Sequence, residues 1–464
     1  MKIKFGTDGW RAVIGKEYTF YNVARVSEGV ARWLDKTPGG GEIIIGYDCR
    51  FNGKLFAMEA AKVLAHRGYH VRLSGDFVST PMVSLAVLQR EARLGIVITA
   101  SHNPPEYNGY KLKGSFGGPL PRTEVDEVEA LIPDRLDFDP QELSFEDLLQ
   151  AGWIKESNLE KKYLQHVREH FDLDAIAHSG FRFAFDAMYG SGQRVLSQLL
   201  PDTECLHCEY NPSFKGVPPE PLARNLQEFQ QFVSERPIDC GLATDGDADR
   251  IALVDADGRF IDAHHIILIL IHYLKGYRKL DGGVVTAVSS SNKIAQLCEH
   301  YGLHLDVVKI GFKYTSELMR TKDVLVGGEE SGGIAVKGHI PERDGIWMGL
   351  IIWEFMSRTG KTLRQIIDEI YALVGSFAFE RRDLRLSEEA KQRIVNNCEN
   401  GKYSAFGEHK VQRVDTLDGF KYILNSDTWV MIRPSGTEPV LRMYAEAPTR
   451  EEVTALLDTV IESV

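Results

Sequence analysis

Ser101 stands between an apolar stretch and a segment that cannot be helical. Residues 94–100 read LGIVITA, and Pro104 and Pro105 follow the serine closely. This pattern predicts a serine that projects from the end of a strand. His102 beside it and Lys111 further on are groups able to accept a proton or balance charge, as a nucleophilic serine requires. A serine that only caps a helix or closes a turn is the structural alternative.

The segment TDGDADR places Asp245, Asp247 and Asp249 two residues apart. On an extended backbone this spacing directs all three carboxylates to one side, which predicts a cation site. Hard oxygen ligands with room for phosphate or water suit Mg²⁺. A calcium EF-hand loop is excluded, since Arg250 and Ala256 stand where glycine and glutamate are needed. A solvated acidic turn remains the alternative.

Two further loops combine glycine with polar side chains. The segment GGEESGG, residues 327–333, sets carboxylates and a hydroxyl between glycine pairs, which lets the backbone approach a ligand rich in hydroxyl groups. A plain surface turn explains this pattern equally well. The segment RPSGTEP joins Arg433 to Ser435, Gly436 and Thr437, and this mixture of guanidinium, hydroxyl and backbone donors fits a phosphate.

The elements that must position these loops follow a repeated order. Segments from Glu42, Arg182 and Val284 each run from a β-branched strand through a small or polar loop to a helix-period stretch and a second strand. This alternation predicts α/β domains built on largely parallel strands. Asp257–Gly258 predicts the turn of a hairpin closing the second domain. After Gly375, shorter strands and an amphipathic terminal helix predict an α+β cap; its apolar face comprises Val453, Leu456, Leu457 and Val460.

Net charge, the length of the apolar runs and the cysteine content exclude several classes of protein. The 464 residues carry a net charge of −12, which argues against nucleic acid or an anionic membrane as the main partner. The apolar run Ile266–Ile271 is far shorter than the ~20 residues that a membrane span needs. The six scattered cysteines suit a reducing compartment, and we expect the Cys205/Cys208 pair to be structural. We therefore expect a cytoplasmic protein.

Taken in order, the segments FGTDGWR, TASHNPPEYNGYKLK, TDGDADR, GEESGG and RPSGTEP resemble the alpha-D-phosphohexomutase family, which includes phosphoglucomutase and phosphomannomutase. The resemblance spans the whole chain. It implies four domains around a central cleft, three α/β domains and a C-terminal α+β cap. We place them at residues 1–140, 141–258, 259–374 and 375–464, carrying in turn the phosphoserine, metal, sugar-binding and phosphate-binding loops.

The resemblance also implies a role for each loop. Ser101 would carry a phosphoryl group, give it to a hexose monophosphate and recover a phosphate from the bound hexose 1,6-bisphosphate. Mg²⁺ would be held by Asp245, Asp247, Asp249 and a phosphoserine oxygen. The remaining assignments are Arg11 and Arg250 near the transferring group; His102 and Lys111 as alternative proton-transfer groups; Lys309, Glu329 and Ser331 on the sugar; and Arg433, Ser435, Gly436 and Thr437 on the non-reacting phosphate.

The preferred sugar is predicted from one residue of this resemblance. Glu330 in GEESGG matches the phosphoglucomutase form, whereas dual-specificity enzymes often have Met there and phosphoglucosamine mutases have Gln. We therefore predict a phosphoglucomutase, with phosphomannomutase, dual-specificity and phosphoglucosamine mutase activities as alternatives. Two other classes stay open: a metal-dependent serine phosphatase, which would release inorganic phosphate, and a non-catalytic sugar-phosphate binding protein, which would be expected to lose Ser101 or an aspartate.

Overall fold

The computed structural model describes residues 2–434 and 440–464, which form four large sheets, each with its own helices, and one small hairpin. The first sheet has the order β1-β5-β4-β2-β3-β6. Its strands and helices are β1 Trp10–Val13, α1 Phe20–Lys36, β2 Ile43–Tyr47, α2 Gly53–His66, β3 Val71–Ser74, α3 Thr80–Gln89, β4 Leu94–Ile98, β5 Tyr107–Gly114, α4 Arg122–Leu131, α5 Phe145–Gln150 and β6 Ile154–Ser157. The edge strand β6 pairs with β3 and lies beyond the predicted boundary at residue 140, which stays a prediction.

The second and third sheets have the orders β11-β10-β9-β7-β8 and β13-β12-β14-β15. The second contains α6 Leu159–His170, α7 Leu173–Ala177, β7 Phe183–Asp186, α8 Val195–Leu199, β8 Glu204–Leu206, α9 Gln227–Ser234, β9 Cys240–Thr244, β10 Ile251–Asp255 and β11 Phe260–Ile261. The third contains α10 Ala263–Ile271, β12 Gly283–Ala287, α11 Asn292–Tyr301, β13 Leu305–Val308, α12 Phe312–Thr321, β14 Val324–Gly328, β15 Ile334–Val336, α13 Gly345–Thr359 and α14 Leu363–Val374.

The fourth sheet is antiparallel throughout, in the order β16-β22-β21-β20-β19. This unit contains β16 Ala378–Arg385, α15 Glu388–Glu399, β17 Ala405–Phe406, β18 His409–Lys410, β19 Arg413–Asp415, β20 Phe420–Ile423, β21 Trp429–Pro434, β22 Val440–Ala447 and α16 Arg450–Ser463. Short 3-10 helices span Pro140–Glu142 and Phe214–Gly216, and a π-helical turn spans His272–Tyr277.

The first three sheets contain both parallel and antiparallel pairs, and this refines the expectation of largely parallel strands. In the first sheet β2 runs parallel to β3 and β4, whereas β5 runs antiparallel to β4 and β1. In the second, β7 runs parallel to β8 and β9, and the predicted hairpin is the antiparallel pair β10–β11. Four α/β and α+β units with these sheets confirm the predicted fold class.

Local sequence explains the elements that carry the site. Strand β2 is an uninterrupted apolar run, IIIGY, that is buried along its whole length, as expected for a strand covered by helices on both faces. Helix α16 begins with a capping box in which Thr449 and Glu452 each bond the other's backbone N–H, and its four predicted apolar residues are all buried. No helix within 2–434 and 440–464 is long and apolar enough to cross a bilayer.

Candidate active site

Ser101 lies in the turn between β4 and β5, where its side chain is buried. Its φ of 53° is in the left-handed region, which non-glycine residues rarely occupy. The hydroxyl donates to Oδ2 of Asp245 at 2.7 Å, and Nδ1 of His102 lies 3.3 Å from the same hydroxyl oxygen. The backbone N–H donates to Oγ1 of Thr99 at 2.8 Å. The turn therefore presents the serine to a carboxylate rather than to a helix end.

Arg50 supports this turn from inside the protein, and sequence reasoning missed it. Its Nη2 donates to the carbonyl oxygens of Ser101 and Asn103, each at 2.6 Å. Its Nη1 donates to the carbonyl oxygens of Pro104 at 2.8 Å and Tyr107 at 3.0 Å. The planar fork of donors on a guanidinium suits such a set of acceptors. The available signal was an arginine three positions after an apolar strand, where a buried charge needs partners.

The carboxylates of Asp245, Asp247 and Asp249 converge as predicted, but the backbone that carries them differs from the expectation. One oxygen from each lies within 4.8 Å of the others, and all three side chains are buried. The expected extended backbone was wrong: residues 246–248 form a turn, and Ala248 has a φ of 56°. A turn brings side chains together within a shorter distance than alternation along a strand does.

Close packing fixes the acidic loop against the serine turn. A Cβ atom on Gly246 would lie 2.5 Å from the carbonyl oxygen of Ser101, so only glycine fits there. The backbone N–H of Thr80 donates to the carbonyl oxygen of Asp247 at 2.9 Å, and its hydroxyl donates to the carboxylate of the same residue. The N–H of Ile251 donates to the carbonyl of Gly332 at 3.0 Å. These contacts join the serine, acidic and glycine-rich loops into one site.

The acidic loop retains oxygen atoms that suit a cation. Oδ1 of Asp245 accepts from the backbone N–H groups of Asp249 at 2.9 Å and Arg250 at 3.1 Å. Oδ1 of Asp247 and Oδ1 of Asp249 are buried and have no hydrogen-bond partner among the described residues. Buried carboxylate oxygens without partners are costly unless a cation approaches them. The donor set is therefore chemically suited to Mg²⁺.

Lys111 places a positive charge against the same carboxylates. Its ammonium nitrogen lies 2.8 Å from Oδ2 of Asp247, 3.0 Å from Oδ2 of Asp249 and 2.9 Å from Oδ2 of Asp8. Arg343, which sequence reasoning missed together with Asp8, lies 2.7 Å from the Asp8 carboxylate and 2.8 Å from that of Asp249. The two buried cations, Lys111 and Arg343, therefore contact three carboxylates between them. Each of these carboxylates has at least one counter-ion; they are those of Asp8, Asp247 and Asp249.

The environment shifts the pKa values of these groups in opposite directions. Burial and the carboxylates of Asp249 and Asp247 raise the pKa of Asp245 well above its ordinary value. Burial alone would also raise the pKa of Asp247, but the Lys111 ammonium outweighs burial and lowers the pKa of that carboxyl. Burial would lower the pKa of Lys111, and the carboxylates of Asp247 and Asp249 raise it instead. Lys111 is thus a fixed cation at neutral pH.

His102, in contrast to Lys111, is uncharged at neutral pH. Burial, together with the nearby guanidinium groups of Arg250 and Arg11, lowers its pKa well below the ordinary value, so its imidazole is neutral at pH 7. Arg11 donates to Oδ1 of Asn103 at 2.6 Å, and Arg250 lies 3.2 Å from Oε1 of Glu220. The structure thus brings Arg11 and Arg250, as predicted, to the serine turn. They lie near His102, which is the uncharged member of the two predicted proton-transfer groups.

The glycine-rich loop carries Glu329 into a buried position. Burial and the neighbouring carboxylate of Glu330 raise the pKa of Glu329 to about 7. Its Oε1 accepts from the backbone N–H of Gly311. Lys309, the predicted substrate-facing lysine, precedes Gly311 by two positions and is exposed. A buried carboxylate and an exposed ammonium thus flank one short backbone segment.

The next two residues of this loop differ in their surroundings. Oε2 of Glu330 accepts from the hydroxyl of Ser289 at 2.6 Å. Ser331 is half-buried, and the turn closes through the N–H of Gly332, which donates to the carbonyl of Glu329 at 3.1 Å. The Glu330 side chain is therefore oriented by a serine from the loop after β12.

Arg433 lies at the end of β21 and is oriented by Asp418. Its Nε donates to Oδ1 of Asp418 at 3.1 Å, and Oδ2 of Asp418 accepts from the backbone N–H of Ile310 at 3.0 Å. Asp418 thus connects the predicted phosphate-binding arginine to the segment that holds Lys309. The other predicted phosphate-binding residues, Ser435, Gly436 and Thr437, lie outside the described residues.

Comparison with known proteins gives one consistent family. Four family models match, described as phosphoglucomutase/phosphomannomutase alpha/beta/alpha domains I, II and III and C-terminal domain, over residues 2–137, 161–258, 262–374 and 394–463. Among curated relatives, a phosphoglucomutase/phosphomannomutase of Thermococcus kodakarensis is 29% identical over 98% of this chain and 96% of its own. A phosphoglucosamine mutase of Bacillus cereus is 30% identical over 99% of this chain and 98% of its own.

Solved structures agree with these matches. A putative phosphomannomutase from Thermus thermophilus has a TM-score of 0.87 at 32% identity and covers 100% of this chain and 99% of its own. An Aspergillus fumigatus N-acetylphosphoglucosamine mutase, solved with GlcNAc-6P and magnesium, has a TM-score of 0.62 at 16% identity and covers 99% of this chain and 96% of its own. The second likeness concerns the fold alone.

Proposed function

Because the chain belongs to the phosphoglucomutase/phosphomannomutase family and is therefore an intramolecular phosphotransferase, we propose that it interconverts hexose 1-phosphates and hexose 6-phosphates through a phosphoserine at Ser101 and a bound hexose 1,6-bisphosphate. The observation that carries this proposal is the 2.7 Å contact between the Ser101 hydroxyl and Asp245, in a loop whose carboxylates suit a divalent cation.

Each half of the reaction moves one phosphoryl group and one proton. In the first half, a sugar hydroxyl oxygen attacks phosphorus and loses its proton to a base, the bond from phosphorus to Oγ of Ser101 breaks, and the departing Oγ takes up a proton. The second half reverses these events at the other end of the sugar. Mg²⁺ on Asp245, Asp247, Asp249 and a phosphoserine oxygen would neutralise charge on the transferring group. Arg11 and Arg250 add positive charge beside the serine.

His102 is the better supported base of the two predicted candidates. Its neutral imidazole lies 3.3 Å from Oγ of Ser101, close enough to accept the hydroxyl proton when this oxygen attacks phosphorus in the second half of the reaction. Lys111 is held protonated by the acidic loop, which suits charge balance and not proton abstraction. Glu329 and Ser331 would bind sugar hydroxyls, with Lys309 beside them, and Arg433 with residues 435–437 would bind the non-reacting phosphate.

We propose glucose phosphates as the preferred substrates, on the strength of Glu330. Hydroxyl groups at the third and fourth carbons are common to glucose and mannose, so Glu329 and Ser331 do not separate these sugars. The preference is therefore expected to be modest, on the order of 1 to 3 kcal/mol in transition-state binding. The test is kcat/KM for glucose, mannose and glucosamine 1-phosphates, measured side by side at saturating Mg²⁺ and bisphosphate.

The outcomes of that test separate the alternatives. A decrease in kcat/KM from glucose to mannose to glucosamine 1-phosphate supports the proposal. A mannose preference would make the chain a phosphomannomutase and remove Glu330 as a mark of specificity. Stoichiometric release of inorganic phosphate without sugar isomerisation would make it a phosphatase.

A further inference from the structure

We propose that the chain has a second metal site, for a transition-metal dication such as Zn²⁺, formed by His166, Glu169 and His170 on α6. One nitrogen or oxygen atom from each residue lies within 4.8 Å of the others. Residues separated by three and four positions share one face of a helix. Two imidazoles with one carboxylate form a ligand set typical of Zn²⁺, with a further position left for water.

Hydrogen bonds leave one nitrogen of each histidine available for a metal. Nδ1 of His170 lies 2.7 Å from the carbonyl oxygen of His166, which can only accept, so this nitrogen carries the proton and Nε2 keeps its lone pair. Nε2 of His339 lies 2.9 Å from a carboxylate oxygen of Asp344, which likewise assigns the proton to Nε2. Nδ1 of His339 then accepts from Nε2 of His166 at 3.4 Å, and Nδ1 of His166 keeps its lone pair.

His339 and Asp344 support His166, one of the proposed ligands, through hydrogen bonds. A chain of contacts runs from the Asp344 carboxylate through His339 to His166, and such carboxylate–histidine support raises ligand basicity and fixes ring orientation in metal sites. The side chains of His339 and Asp344 are fully buried. Asp344 also accepts from the hydroxyl of Tyr163 at 2.9 Å and caps α13 through the N–H of Trp347 at 3.0 Å.

Aromatic packing against Trp347 restricts the rings of His339 and His166. The rings of His339 and Trp347 stack with centroids 3.8 Å apart and an angle of 5°. The ring of His166 lies 5.1 Å from that of Trp347 and 4.2 Å from that of His170. Glu169 and His170 are exposed, so an ion can enter from solvent. A fixed inner histidine with an accessible outer pair is a preorganised arrangement for binding a metal.

The test is a Zn²⁺ titration of the full-length protein against a chromophoric chelator, in excess Mg²⁺ to occupy the acidic loop. We expect one Zn²⁺ per chain. His170→Ala and Glu169→Gln, both at exposed positions, should each weaken the affinity about tenfold or more, because each changes a ligand and the loss of an outer-shell partner alone costs about 10- to 100-fold. His178→Ala is the matched control, because the exposed His178 makes the same ring contact with a helix carbonyl, Nδ1 to Asp174 at 2.8 Å, outside the proposed site.

The titration of the wild-type protein and its variants distinguishes the proposed site from other binding sites. Retention of wild-type affinity in His178→Ala, with loss in His170→Ala at an unchanged melting temperature, supports the site. Binding that is equal in wild type and His170→Ala, or absent from wild type, overturns the proposal. Binding that is lost in Cys208→Ser and kept in His170→Ala also overturns it, since the ion would then lie on the Cys205/Cys208 pair.

Discussion

The ammonium nitrogen of Lys111 lies 2.8 Å from Oδ2 of Asp247, and both side chains are buried. Three buried carboxylates in one loop would repel one another strongly without a positive charge among them. Lys111 therefore provides a counter-ion that belongs to the chain itself. It follows that the fold of the loop does not depend on a bound divalent cation, whereas the proposed phosphoryl transfer does.

Chelation of divalent cations is expected to abolish activity and to shift the melting temperature by no more than about 1 °C, which corresponds to about 1 kcal/mol for 464 residues that unfold in one transition. Asp247→Asn removes one charged ligand and should raise the Mg²⁺ concentration for half-maximal activity about tenfold or more. Asp257→Asn, an exposed aspartate in the turn between β10 and β11, is the control. Full activity in excess chelator would rule out the metal role.

Ser101→Ala is expected to reduce mutase activity to the detection limit even when bisphosphate is supplied, because the variant lacks the oxygen that is proposed to carry the phosphoryl group. Peptide mapping of the wild-type protein should find one phosphate on Ser101. Ser84→Ala is a suitable control, since Ser84 is a buried serine whose hydroxyl has no hydrogen-bond partner among the described residues. Near-normal turnover by the Ser101 variant would contradict the proposed function.

The pKa of about 7 for Glu329 predicts a pH-dependent KM. Below pH 7 the carboxyl is protonated and is a poorer acceptor for sugar hydroxyls, so KM should rise as the pH falls through 7. The second ionisation of the sugar phosphate, near pH 6, acts in the same region. Glu329→Gln separates the two, because its KM should be high and should follow only the phosphate. An identical pH profile in both proteins would exclude Glu329 as the titrating group.

The same carboxyl makes a prediction about stability. Its pKa of about 7 in the folded protein is above the ordinary value of 4.5, so its favourable contribution is complete below pH 4.5 and is lost as the pH rises through 7. Glu329→Gln should therefore gain stability over wild type between pH 5 and pH 8, by up to about 3 kcal/mol. Thermal melting of both proteins across this range is the measurement, and a constant difference would refute the linkage.

Arg433→Ala is expected to raise KM and lower kcat together. Asp418 connects Arg433 to the backbone of Ile310, so binding of the distal phosphate by this arginine would also draw the fourth unit toward the sugar-binding segment and exclude water. Arg393→Ala, at an exposed position on α15 of the same unit, is the control. A change in KM alone would limit Arg433 to binding.

The sequence predicted those parts of the site whose residues are close together along the chain. Ser101 with His102, and Asp245 with Asp247 and Asp249, form short segments whose chemistry can be interpreted locally. The turn at Ala248 was missed because alanine gives no signal for a positive φ. The convergence of the carboxylates was predicted correctly from an incorrect backbone, since spacing alone does not distinguish a tight turn from a strand.

The missed residues come from distant parts of the chain. Asp8 and Arg343 are separated by 335 positions and meet only because the first and third units pack against each other. Arg50 reaches the Ser101 turn from the end of a neighbouring strand, which requires the order of strands in the sheet. Such contacts depend on tertiary packing, for which one sequence provides no periodicity or motif.

The four carbonyl oxygens that accept from Arg50 belong to a segment only seven residues long, Ser101–Tyr107, which ends on the first residue of β5. The guanidinium thereby places a positive charge against all four oxygens, which offsets the negative potential that they would otherwise add near the proposed phosphate. One side chain thus determines both the shape of the loop and its electrostatic polarity. Lysine, which offers three donors at a single point instead of a fork, could not satisfy all four acceptors at once. The tolerance of this loop for a dianion consequently depends on a residue that does not contact Oγ of Ser101.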